Sequence, residues 1–432
     1  MKRKLLLITI LLVGGLFVSC SSDESGEKKT ETPVKAAPLP ITITSTSSEF
    51  LINGENLEIN GSNFVNKDYP TKIFLNGIEI TAKEITTNKI TLSSPNVAYG
   101  VNTLRIQIQN VESTPLSFFA IAKGWNTLNV LGTAEITSSS VFDDSKTIFS
   151  LIDSGSPKKL EAKATGYTQT SLNIGNFFGD FKMFDEKTGV ITATYRVLHT
   201  DNAFETINET VADNAFTKEI NGLNIGYQNG KSSILYTIVG SQIYTGDNGK
   251  TVIKNPPPVW CTGVNGKQIR LNVGAFGKST SDDKFYQLGI INDSKKYGNN
   301  KYKNVVMQSA TGYSDWIVKD TISDIVLNQS FYYKFQNINR ILSIGTNKTL
   351  VESTDMLKTW NVIKTDVSAV FLRTETQWYI QSGDKLFVTK DSGKNWEFEL
   401  ELPTGSKVND ISFSKNKIIV SGSKGLHYLK IE

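Results

Sequence analysis

Four segments in the second half of the chain share side chains that accept backbone hydrogen bonds and permit tight turns. Thr389-Lys390-Asp391-Ser392-Gly393-Lys394-Asn395-Trp396 is the fullest copy. Ser353 to Trp360 keeps Ser353, Asp355 and Trp360 but lacks the glycine, whereas Thr245 to Val252 keeps Thr245, Asp247 and Gly249 but lacks the tryptophan. Ser309 to Trp316 keeps Ser309 and Trp316, with Thr311 at the aspartate position. Asp and Ser/Thr side chains satisfy N–H groups in a turn, Gly permits positive φ, and Trp buries a large apolar surface. The chemistry is therefore that of a folding device. Other constellations are thin. His199 and His427 are the only histidines, far apart in strand-like contexts, so a Ser-His-Asp or zinc set has little to draw on. Gly246 to Thr251 fails as a phosphate loop because Tyr244 stands where the first glycine is needed and no helix follows. Asp247-Asn248-Gly249 and Asp391-Ser392-Gly393 lack the further oxygen ligands of a calcium loop. No metal or cofactor is implied.

These turns need strands to hold them. A hairpin pattern precedes each clear copy, at Ile234 to Tyr244, Ile341 to Val351 and Trp378 to Val388. The copies start 36, 44 and 64 residues apart, and such intervals bracket one four-stranded propeller blade, the longest hiding an insertion or an unmarked blade. The reading is a β-propeller of six or seven blades over 123–432, with a series of β-sandwiches as the alternative. Lys417-Ile418-Ile419-Val420 and Leu426-His427-Tyr428-Leu429 would close the ring with a strand from near Leu128.

The turn segments resemble the BNR/Asp-box of sialidase-like propellers, Ser/Thr-x-Asp-x-Gly-x-Thr-Trp. That resemblance implies either a sialidase or a binding ring. Sialidases hold a carboxylate with three arginines, one of them early in the fold. Here only Arg196, Arg270, Arg340 and Arg373 follow residue 123, none in the first blade, so the resemblance implies fold without that activity. Asp143-Asp144 and Asp282-Asp283 read as solvated loop charges.

From 41 to 122 apolar residues alternate in short runs, at Leu57/Ile59, Ile78/Ile80, Ile90/Leu92, Leu104/Ile106/Ile108 and Leu116/Phe118. Period 2 with frequent breaks means a small sandwich. Leu57 to Phe64, Ile73 to Gly77, Ile90 to Pro95 and Gly100 to Leu104 resemble the successive strands of an IPT/TIG domain. The resemblance implies an immunoglobulin-like module, turn roles for Gly61 and Gly77, a core role for Phe64, and a spacer or contact module without catalysis.

Residues 1–19 read as an export signal, with Lys2, Arg3 and Lys4 before the apolar run Leu5 to Val18. Leu16-Phe17-Val18-Ser19-Cys20 resembles a lipobox, which implies a diacylglycerol on the Cys20 thiol and cleavage before it. Two or three acyl chains anchor a protein stably at about 0.8 kcal/mol per buried methylene. Residues 20–40 are Ser, Glu, Lys, Thr and Pro with few large apolar side chains and form a flexible tether. Ser21 and Asp23-Glu24 resemble surface-export signals, which implies the outer membrane, facing outward. With Cys20 acylated, Cys261 has no disulfide partner. Loss of Lys2, Arg3 and Lys4 lowers the formal charge from +4 to +1, so the basic balance belongs to the signal and nucleic-acid binding is not implied.

The expected function is a non-catalytic surface lipoprotein whose propeller binds a glycan or an envelope protein. The alternatives are a propeller glycoside hydrolase and an adhesion or assembly scaffold. Trp260, after Pro256-Pro257-Pro258 in a segment that starts as a loop and outside every box, reads first as core or interblade packing and second as the candidate ligand platform.

Overall fold

The computed structural model describes residues 35–143, 145–152, 156–172, 181–193, 196–210, 347–355 and 359–432, together with strand segments between 221 and 345. Cys20 and the signal lie outside the described residues.

Alternating apolar residues first build an immunoglobulin-like sandwich. One sheet orders Thr42–Thr46, Leu57–Ser62, Lys89–Leu92 and Glu84–Ile85. The other orders Phe50–Ile52, Leu116–Ile121, Gly100–Ile108, Thr71–Leu75 and Ile78–Ile80, with Val111–Glu112 added beside Gly100–Ile108. Leu57, Ile59, Phe64, Ile90, Leu104 and Ile106 meet in one core and are inaccessible to solvent. Ile78 departs from the expected inward pattern because its strand is an edge, and it is 70 % exposed. Gly61 is needed for close approach, not for a turn: a Cβ there would lie 2.0 Å from the Thr42 carbonyl oxygen and 2.4 Å from the Phe64 ring.

Seven further sheets among the described residues form a β-propeller. Blade 1 is Ile136–Val141, Ile148–Ile152, Ser156–Lys163 and Gly166–Ser171, and blade 2 is Phe181–Met183, Gly189–Ala193, Arg196–Thr200 and Asn208–Thr210. Blade 3 runs from Asn221–Asn229 to Val252–Ile253, blade 5 from Leu327–Phe335 to Asn361–Lys364, and blade 6 from Ala369–Leu372 to Glu397–Glu401. Blade 4 carries a fifth strand, Trp260–Thr262, beside its Gln268–Lys278 strand. Blade 7 takes Val408–Phe413, Lys417–Gly422 and His427–Ile431 from the end of the chain, and Gly124–Thr127 from just after the sandwich completes it. The closing strand stops one residue short of Leu128, whose N–H donates to the His427 carbonyl at 2.8 Å.

The closing strand is fastened at its outer side. The Trp125 indole meets Glu399 of blade 6, and Lys430 pairs with the same carboxylate while lying 5.6 Å over the indole ring. Asn126, 2 % exposed, accepts the Ala122 N–H and donates to the carbonyls of Ala122, Gly124 and Leu429. Asn102 makes the same local set with Ala98 and Gly100 at the start of a sandwich strand. The two sites share a sequence: Ala98-Tyr99-Gly100-Val101-Asn102-Thr103-Leu104 and Ala122-Lys123-Gly124-Trp125-Asn126-Thr127-Leu128.

Sandwich and propeller share a core. Phe50, Ile52 and Ile121 bury together with Leu128, Ile136, Ile148, Leu160, Ile419 and Ile431. Fully burying side chains of this size stabilises by about 1.5–3 kcal/mol each, so separating the two units would re-expose a substantial apolar surface.

Candidate binding site

The first strands of blades 1, 2 and 7 end at neighbouring turns, and a cavity of 440 Å³ opens between them. Each blade contributes one phenylalanine: Phe142, Phe184 and Phe413. Ser140, Ser412, Ser414, Lys182, Asp143, Asp185 and Glu186 complete most of the lining. All three rings are half-buried; Phe142 packs against the core of Phe149 and Leu198, and Phe413 lies 5.4 Å from the Tyr379 ring and 6.0 Å from the Arg373 guanidinium.

The carboxylates at this site are largely committed to the backbone. Asp143 accepts the N–H groups of Lys415 at 3.0 Å and Asn416 at 2.7 Å, so it ties blade 1 to blade 7 and is not the solvated loop charge expected from sequence. Burial pushes its carboxyl up, but the N–H of Asn416, the Ser414 hydroxyl, the N–H of Lys415 and the Lys417 charge outweigh burial and hold it below the usual carboxylate range. Asp185 accepts the N–H groups of Lys187 at 2.8 Å and Thr188 at 2.7 Å and the Thr188 hydroxyl at 2.6 Å, an Asx turn closing the first hairpin of blade 2. Glu186 is exposed and makes no hydrogen bond or ion pair among the described residues. An ionised acceptor serves turns and ligand hydroxyls well, but a general acid needs a raised pKa.

The described box residues of blades 5 and 6 form turns between the third and fourth strands of their blades. Thr389 Oγ1 donates to Asp391 Oδ1 at 2.8 Å, Asn395 donates through its N–H at 2.9 Å and its side chain at 2.6 Å, and Gly393 N–H meets Thr389 Oγ1 at 2.9 Å. The Asn395 N–H, then its side chain and Thr389, hold the Asp391 carboxyl down to about 2. The blade 5 copy repeats this: Asp355 accepts from Ser353 at 3.0 Å and from Thr359 at 2.9 and 2.6 Å. Thr359 thus does in blade 5 what Asn395 does in blade 6, which accounts for the asparagine at a threonine position. Trp396 packs half-buried against the core containing Val370, Trp378 and Ile380, and Trp360 is half-buried as well. Thr245 and Ser309 end the third strands of blades 3 and 4; Asp247, Gly249 and Trp316 lie outside the described residues.

Trp260 opens the Trp260–Thr262 strand, so its backbone pairs in a sheet where the sequence suggested a loop; its side chain lies outside the described residues. Arg340, 7 % exposed, pairs with Glu352 and lies 4.9 Å from the Trp378 ring, while Arg373 pairs with Glu432 at 2.6 Å and caps the Ser414 and Lys415 carbonyls. Both arginines hold the frame. His427 is buried, with Nε2 3.4 Å from Ser150 Oγ in a chain that continues through Ser139 to Ser421. Burial lowers its pKa to about 3. Every member of that chain is nearly or wholly inaccessible, so it cannot meet a substrate.

No family model matches the chain, and no curated protein matches its sequence. Among solved structures it is similar to YCF48 bound to D1 peptide, at 14% identity and a TM-score of 0.50, covering 72% of this chain and 98% of that one. YCF48 from Cyanidioschyzon merolae aligns at 10% identity and a TM-score of 0.49, over 71% of this chain and 99% of its own. An auxiliary nutrient binding protein from Bacteroides thetaiotaomicron aligns at 10% identity and a TM-score of 0.39, over 91% of this chain and 98% of its own. At this distance the first likeness supports the propeller fold alone.

Proposed function

We propose that this chain is a non-catalytic lipoprotein of the outer membrane, anchored through Cys20, whose propeller binds a glycan in the pocket of Phe142, Phe184 and Phe413. The observation that carries the reading is the pocket's chemistry. The open parts of the three half-buried rings offer apolar surface for the C–H faces of sugars, and Lys182 and Glu186 in the same lining offer a donor and an acceptor for hydroxyl groups. The hydrolase alternative needs one carboxyl kept protonated, whereas Asp143 is held ionised and Asp185 is spent on its turn. The sandwich, read as an IPT/TIG-type module, and the box-bearing blades, read as a BNR-type ring, serve display. Membrane attachment is supported by the basic start, the apolar run and Cys20.

A glycan array probed with the mature protein and with Phe184→Ala tests the pocket. Binding should be abolished in the variant while its Tm stays close to that of the wild type. A variant that binds as before removes the pocket from the reading. An intact protein that binds no glycan but co-purifies with an envelope protein favours the scaffold alternative.

A further inference from the structure

The turn Phe142 to Thr147 supplies two pocket residues, Phe142 and Asp143, and two lysines hold it from opposite sides. Lys417, 4 % exposed, donates to the carbonyl oxygens of Phe142 at 2.8 Å, Asp143 at 2.7 Å and Ser145 at 2.7 Å. Lys146, within the turn, reaches outward. Its Nζ donates to Ser48 Oγ at 3.0 Å and to the Phe50 carbonyl, pairs with Glu55 Oε2 at 2.9 Å, and lies 5.9 Å from the Phe50 ring centre. An ammonium has three N–H bonds, so each lysine is saturated.

Ser48, Phe50 and Glu55 all belong to the sandwich. Glu55 is itself fixed, because its Oε2 also accepts the Ile52 N–H at 2.9 Å. A second cavity, 620 Å³, lies beside Lys146 between Ser48–Phe50 and the end of the Ser156–Lys163 strand of blade 1 with the turn at Ala164 and Thr165. This cavity flanks the core that the two units share, in which Phe50 packs with Ile148 and Leu160, and Lys146 adds the polar tie between the turn and the sandwich.

We infer that the sandwich is a working part of the binding site, acting through Lys146 as a positioning residue for Phe142 and Asp143. The inference rests on the pocket reading above. A ligand that meets a turn held at both ends does not have to order it. A turn released at Lys146 keeps its Lys417 contacts and the Asp143 bonds to the Lys415 and Asn416 N–H groups but loses its tie to the sandwich, and a side chain left to be ordered on binding lowers affinity.

Lys146→Met, Glu55→Gln and Lys146→Arg, made in the mature full-length chain, test this by hydrogen–deuterium exchange over residues 140–147 and by glycan-array signal. Lys146→Met should speed exchange there by about tenfold and lower the array signal several-fold, with blade 6 peptides unchanged. Glu55→Gln should do the same to a smaller extent, and Lys146→Arg should restore both readouts. A wild type that binds and a Phe184→Ala variant that does not, alongside a Lys146→Met variant that behaves as wild type in either readout, overturn the inference alone. A wild type that binds no glycan, or Phe184→Ala binding as before, overturns the pocket reading and the inference with it.

Discussion

The indole N–H of Trp125 donates to Glu399 Oε1 across 3.1 Å, and the two residues stand 274 positions apart. One lies on the strand that closes the ring, the other on the outer strand of blade 6. Trp125→Phe keeps much of the apolar area and removes the donor. Because the Glu399 side chain is only 13% exposed, the loss should cost about 1–2 kcal/mol. The urea midpoint should fall at constant m-value. An unchanged midpoint would mean that the contact contributes nothing to closure.

Asn126→Ala should be costlier, about 2–3 kcal/mol, because the Ala122 N–H and several carbonyls then lose a buried partner together. Asn102→Ala removes the same local set from the sandwich, plus a bond to Asn76. Thermal unfolding of both variants should show similar losses. A neutral Asn126→Ala would show that the Ala-x-Gly-x-Asn turn stands without its amide.

Gly393→Ala should destabilise blade 6 by about 1–3 kcal/mol, since φ is +87° and a Cβ would lie 2.7 Å from Ile363 Cγ2. Differential scanning calorimetry measures it, and a rise in Tm would contradict the turn geometry. Asp391→Asn should flatten the acid limb of stability. Its folded value, about 2, lies below the ordinary 3.8, so its contribution is present above 3.8 and is lost as pH falls toward 2.

His427 acts in a different pH window. Its folded value, about 3, lies below the ordinary 6.5, so the unfolded chain takes up a proton that the folded chain refuses. Stability is therefore full above pH 6.5 and declines as pH drops from there toward 3. Tm measured at pH 7.5, 6 and 5 should fall stepwise, and His427→Asn should remove much of the slope. Parallel slopes in the two proteins would count against a neutral buried imidazole.

The propeller was legible because its marks are local. Each box is a single turn, so Thr389, Asp391 and Gly393 could be read from adjacent positions, and the intervals between copies gave the blade repeat. The alternation of Leu104, Ile106 and Ile108 was equally local. The pocket was hidden for the opposite reason: Phe142 and Phe413 meet only after the ring closes. A signal did exist, since Val141-Phe142-Asp143 and Met183-Phe184-Asp185 each end a blade's first strand with the same pairing of ring and carboxylate. Asp143 was misread because its partners, the N–H groups of Lys415 and Asn416, are remote in sequence. The repeated Ala-x-Gly-x-Asn-Thr-Leu segment was visible and carried meaning, but it falls once in each unit, outside any regular repeat.

The closing strand also sets the order in which the molecule can be made. Gly124–Thr127 leaves the ribosome early, and its partner His427–Ile431 follows some 303 residues later. At roughly 5–20 residues per second that strand waits on the order of 15–60 s with one edge unpaired. An open edge invites pairing with the wrong chain. The adjoining sandwich draws all its pairings from residues 42–121, so it is complete before the wait begins. A chain stopped before blade 7 would therefore carry a finished sandwich and an unclosed ring, and it is this species that quality-control proteases should meet.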